Sequence, residues 1–255
     1  MKNTILLFVL LFSHIYASPE KPSDITYEWL IDAEDGDGGS SYVVYLNEVF
    51  QKTKVRACLE FGVGYGTKML LDNCNKVLSV EVVTHGYGPG RIKQFISFYR
   101  DYSNWIPISY FSGYYGDMSW APYKYTGSDA VYKACSYQCA TACDYSLIDP
   151  FYQKELGEFI GNIVKYNKVD MALVHPILFL RGDLVQLLFD KVPIIISHNT
   201  ELLIKGENPD FWGFTRVKTP EEYEMISTLG RTGTTIWVKK KPEYQELIQK
   251  LKNVP

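Results

Sequence analysis

Residues 59–67 read Leu-Glu-Phe-Gly-Val-Gly-Tyr-Gly-Thr. Glycines at 62, 64 and 66 suit a tight turn whose backbone, unshielded by side chains, can come close to a ligand. An apolar strand pattern at Val55–Val63 precedes this turn and a helical one at Thr67–Asn73 follows it, so the first amides of that helix would face the ligand. Glu60 repels phosphate, which argues against a pyrophosphate cradle. The dinucleotide fingerprint needs a glycine at 67, where Thr stands, and Thr67-Lys68 does not supply the Gly-Lys-Ser/Thr of a P-loop. Glu81, 21 residues after Glu60, lies at the end of a second strand pattern, Val77–Val83. An acid at such a strand end can accept the hydroxyls of a ribose.

Two of the four histidines also fall at strand ends. His175 closes the pattern Val169–Val174, and His198 follows Val192–Ser197. His85 sits in the loop after Glu81, and Arg181 and Asp183 stand in the turn after His175. An imidazole near neutral pH can deprotonate a hydroxyl or amine, so His175 or His198 is a candidate general base. Paired with Asp183 they could instead hold a metal. The plain alternative is that each ring bonds a loop carbonyl and does no chemistry.

These residues need a scaffold that brings strand ends together. Further strand patterns fall at Ile106–Phe111, Tyr223–Leu229 and Thr234–Lys240, and helical ones at Tyr42–Lys52, Arg91–Tyr102, Pro150–Tyr166, Asp183–Phe189 and Glu243–Lys252. The first five strands are almost continuously apolar and alternate with helices, the signature of a parallel sheet covered on both faces. The last two flank Gly230-Arg231-Thr232-Gly233 and read as an antiparallel hairpin. The fold expected is therefore α/β: a doubly wound, mostly parallel sheet with a C-terminal antiparallel hairpin, in three layers. Ligands of such sheets bind beyond the carboxyl ends of the strands.

Over roughly residues 40–241 the pattern resembles the class I S-adenosylmethionine-dependent methyltransferases. Their first motif, E/D-x-G-x-G-x-G, is met throughout by Glu60 to Gly66, and an acid ends their second strand, as Glu81 does here. The resemblance implies S-adenosylmethionine as cofactor. It places Glu60, Gly62, Gly64 and Gly66 at the methionine part, Glu81 at the ribose and Asp117 at the adenine side. In the small-molecule O-methyltransferase branch an Asp ends strand four and an Asp/Asn pair near strand five helps hold a divalent metal. Here those places carry His175 and His198-Asn199, and no metal is assigned. His175 and His198 are the catalytic candidates, acting on a small-molecule or sugar-like acceptor.

Residues 112–149 break the rhythm and read as an aromatic-rich insertion in a single domain spanning 18–255. Eleven of the 20 tyrosines lie between Tyr99 and Tyr152. Tyr114, Tyr115, Trp120, Tyr123 and Tyr125 can form an aromatic wall for an acceptor, or pack on the domain or on a partner. Cys135, Cys139 and Cys143 share one helix face but lack the CxxC knuckle of zinc sites. A disulfide to Cys74, or buried thiols, is the preferred reading.

The N-terminus supplies the rival function. Residues 1–17 hold one Lys, the apolar run Ile5–Phe12 and a cut site after Ala17, as in a secretory signal peptide. The run is too short to span a bilayer. Export would separate the chain from the cytosolic pool of S-adenosylmethionine. The alternative is then an exported, non-catalytic binding or effector protein that keeps the fold. A third reading is a metal-assisted hydrolase using His175 and His198. The 255 residues carry a net charge of −3, with 46% hydrophobic and 22% charged. That composition excludes a wholly disordered chain, and it gives no positive field to gather nucleic acid.

Overall fold

A computed structural model describes residues 42–83, 90–111, 150–176, 181–198, 200, 214, 217–228 and 233–254. The segment 1–17, His85, the insertion 112–149 with Asp117 and its three cysteines, and Asn199 lie outside the described residues.

The chain alternates as the apolar pattern requires. Helix α1 (Tyr42–Lys52) is followed by β1 (Ala57–Phe61), α2 (Thr67–Asn73), β2 (Lys76–Val83), α3 (Gly90–Tyr99) and β3 (Trp105–Phe111). Next come α4 (Pro150–Asn167), β4 (Met171–Val174), α5 (Arg181–Leu188) and β5 (Ile194–His198). The hairpin β6 (Tyr223–Thr228) and β7 (Thr234–Lys239), a 3-10 turn at Pro242–Tyr244 and α6 (Gln245–Leu251) complete it. After α4 and α5 the chain reverses through left-handed residues, Lys168 (φ 52°) and Asp190 (φ 65°), and returns to the next strand.

The seven strands form one sheet in the order β3-β2-β1-β4-β5-β7-β6. β1 to β5 run parallel, and β7 is antiparallel to both β5 and β6. This is the doubly wound sheet with antiparallel hairpin expected for a class I methyltransferase-type fold. Winding reverses between β1 and β4, so the crevice in which such sheets bind ligands opens there.

Each face of the sheet buries its own core, because alternate side chains of a strand point to opposite sides. On one face Cys58, Val77, Leu173 and Ile196 pack with α1, α2, α3 and α6. On the other Leu59, Val80, Val174 and Ile195 pack with α4 and α5. β1, β4 and β5 are buried at every position, which explains their unbroken apolar pattern. Among the described residues no helix is long and apolar enough to cross a membrane.

Candidate active site at the strand ends

Register places the candidate residues in one row. Phe61 of β1 pairs with Val80 of β2 and with Val174 of β4, and Val174 pairs with Ser197 of β5. One residue further on, Glu81, Gly62, His175 and His198 therefore lie side by side across four adjacent strands. Ser109 of β3 extends the row beside Glu81, and Thr234 of β7 extends it beside His198. Backbone hydrogen bonds hold the row: the Gly62 amide donates to Val80 O at 3.1 Å, and the His175 amide to Phe61 O at 2.9 Å. At roughly 4.8 Å per strand, Glu81 and His175 stand about 10 Å apart. The parity of these positions is that of Cys58 and Leu173, so their side chains belong to the face covered by α1, α2 and α3.

The three glycines of the turn do different work. Gly62 has φ +91°, and a Cβ there would run into the His175 carbonyl. Its lack of a side chain lets β1 pass beside the end of β4. A Cβ on Gly66 would collide with the Tyr42 hydroxyl. Gly64 is half-buried, and its amide donates to Thr67 Oγ1 at 3.1 Å.

Glu60 is buried at 1% exposure, and both of its oxygens are engaged. The Thr67 hydroxyl donates to Oε1 at 2.8 Å and the Ser79 hydroxyl to Oε2 at 2.7 Å. Trp105 Nε1 donates in turn to Ser79 Oγ at 2.9 Å. The structure thus sets this carboxylate inside the scaffold, tying the glycine turn to β2 and β3. Glu81, one row further out, is half-buried at the rim.

At the other end of the row stands an aromatic trio. The His175 and His198 ring centroids lie 5.2 Å apart, and Tyr42, from the first turn of α1, lies 5.5 Å from His175 and 5.2 Å from His198. Buried Arg181 braces the two strand ends beneath them: its Nε donates to Pro176 O at 2.8 Å and its Nη1 to His198 O at 2.7 Å. His198 is itself buried, with Nδ1 3.3 Å from Thr234 Oγ1. Burial first, and then the Arg181 charge, push its pKa down to about 3. It is therefore a neutral ring at physiological pH and a poor proton acceptor. His175 is only half-buried and is the more accessible of the two candidates.

Asp183 lies in the first turn of α5. Among the described residues no three His, Cys, Asp or Glu side chains come together as a metal site. Sequence reasoning singled out neither Tyr42 nor Tyr99, whose hydroxyl reaches Gly64 O at 2.9 Å. Both sit on apolar helix faces, where a tyrosine reads as core. The one available signal is that a buried Tyr carries a hydroxyl that needs a partner.

No family model matches the sequence, and no curated protein matches it. Among solved structures, similarity is found to a candidate caffeoyl-CoA O-methyltransferase from Staphylococcus aureus, at 12% identity over 92% of this chain and 98% of that one, TM-score 0.47. The O-methyltransferase from Bacillus cereus, in complex with S-adenosylhomocysteine, is 13% identical over 90% and 97% of the two chains, TM-score 0.46. The N-methyltransferase NodS from Bradyrhizobium japonicum, also with S-adenosylhomocysteine, is 10% identical over 92% and 98%, TM-score 0.40. These likenesses are loose, and the fold assignment rests on the strand order itself.

Proposed function

We propose that the chain binds S-adenosylmethionine in the crevice above β2, β1 and β4 and transfers its methyl group to a small-molecule or sugar-like acceptor. The observation that carries this reading is the row Glu81–Gly62–His175–His198 along the carboxyl ends of four neighbouring strands. The donor set suits the cofactor: a rim carboxylate for ribose hydroxyls, a glycine turn for the amino-acid end, and at His198 a neutral ring that sets no like charge near a sulfonium.

When bound, the cofactor supplies an electrophilic methyl group on a sulfonium. The protein's main task is then alignment, which can account for much of the rate. Glu81 would accept hydrogen bonds from the ribose. The turn at Gly62–Gly66 holds the methionine part. His175 would take the proton released by the acceptor hydroxyl or amine on methylation. His198, held by Thr234 and Arg181, keeps His175 and Tyr42 in place.

The test is formation of S-adenosylhomocysteine from S-adenosylmethionine by the purified chain, across a panel of phenols, sugars and amines. His175→Ala should lower the rate by about 100-fold or more while S-adenosylhomocysteine binding stays within about 3-fold. Binding without turnover on any acceptor would favour the second reading, an exported binding protein that keeps the fold. That reading is supported by His175 standing where the O-methyltransferase branch carries an Asp.

A further inference from the structure

We infer that Tyr99 is a positioning residue for cofactor binding: its hydroxyl, with the first amides of α2, holds the orientation of the peptides of the glycine turn. The inference rests on the cofactor reading above and adds a residue to it. Tyr99, the last residue of α3, is 1% exposed. Its hydroxyl lies 2.9 Å from Gly64 O and 3.1 Å from Tyr65 O, so one proton is shared between two consecutive carbonyls, which also accept the Thr67 and Lys68 amides at 3.3 and 3.1 Å. A trans peptide points its N–H opposite to its C=O. Holding these two carbonyls toward α3 therefore directs the amides of Tyr65 and Gly66 the other way, out toward the crevice beyond the strand ends.

The hydroxyl cannot easily move. The Tyr99 ring is stacked on Phe95, with centroids 5.8 Å apart and planes 9° apart, and meets Trp105 edge-on at 5.5 Å. Trp105 reaches the same turn from its other side, through Ser79, Glu60 and Thr67 to the Gly64 amide. The Gly64 carbonyl and the Gly64 amide are thus fixed by one packed unit. A turn held at both groups meets a ligand without first being ordered, which lowers the cost of binding.

The consequence is selective. The glycine turn faces the amino-acid end of the cofactor, so loss of the Tyr99 hydroxyl should weaken ligands that have that end and spare those that lack it. The experiment is calorimetric titration of wild type, Tyr99→Phe and Tyr102→Phe with S-adenosylhomocysteine and with 5′-methylthioadenosine, which has no amino-acid end. Tyr102 is the control, because its hydroxyl bonds Asp72 at 3.2 Å, away from the turn. Tyr99→Phe should weaken S-adenosylhomocysteine by about 10-fold, the worth of one hydrogen bond, and change 5′-methylthioadenosine by less than about 2-fold. Tyr102→Phe should change neither. Equal weakening of both ligands, or of neither, overturns the positioning role. No binding of S-adenosylhomocysteine to wild type overturns the cofactor reading, and this inference with it. If Tyr99→Phe does not fold, Trp105→Phe, which cuts the Ser79 bond on the amide side of the brace, carries the same expectation of ligand-selective loss.

Discussion

Gly62 and His175 are in contact through their backbones: the His175 carbonyl occupies the space that a Cβ on residue 62 would need. The first glycine of the motif thus serves the join between β1 and β4, and through it the placing of His175 in the row. One residue supports both the fold and the candidate base.

Gly62→Ala should therefore destabilise the chain by about 2–4 kcal/mol, from the left-handed φ and the collision together. Gly64→Ala, at a position without positive φ, should cost less than about 1 kcal/mol and act mainly on ligand binding. Urea unfolding of both variants checks this, and equal costs would contradict it.

Glu60→Gln should lower stability by about 1–3 kcal/mol. Thr67 and Ser79 both donate to this side chain, and an amide offers one acceptor oxygen where the carboxylate offers two. Denaturant melts of the variant test the point. Unchanged stability with lost ligand binding would return Glu60 to direct contact with the cofactor.

His198 predicts a pH dependence. Its folded pKa of about 3 lies below the unfolded value of 6.5, so between these values the unfolded chain binds more protons. Stability then rises with pH across that window and is lost as pH falls from about 6.5 toward 3. The slope from this group is at most about 1.4 kcal/mol per pH unit. His198→Asn should flatten that part of the curve, measured by urea unfolding at stepped pH. An unchanged slope would show that another group is responsible.

The sequence made the elements legible because the parallel strands are buried on both faces and so read as continuous apolar runs. Thr67–Asn73 and Tyr42–Lys52 appear as helices over the expected residues. That Glu81, His175 and His198 share one row was legible too, since strand ends of such a sheet share one rim. The roles within the rim were not. Nothing in the motif distinguishes a glycine needed for strand packing, Gly62, from one that receives a tyrosine, Gly66. Whether Glu60 points into the scaffold or at a ligand depends on Ser79 and Thr67, residues whose partnership only register reveals. The difference between the two histidines comes first from the burial of His198 and then from the charge of Arg181, which stands 17 residues away in the chain.

Cys58 and Cys74 are both buried with free thiols. Burial raises the Cys58 pKa well above the usual thiol value, and its hydrogen bond with Cys74 adds to this. Neither should react with iodoacetamide in the native chain at pH 8, and both should react once it is unfolded. Peptide mapping by mass spectrometry reads the two sites separately from the other cysteines. Rapid labelling of the native protein at Cys58 would contradict the packing described.

The proposed methyl transfer requires that the crevice beside Glu81 hold S-adenosylmethionine. Titration of the wild-type chain with S-adenosylhomocysteine, beside Glu81→Ala, tests it most directly. The wild-type chain should show one site and the variant at least about 10-fold weaker binding, as expected when a charged hydrogen-bond acceptor is removed. No heat of binding from a folded wild-type chain, or equal affinity in the two proteins, would contradict it.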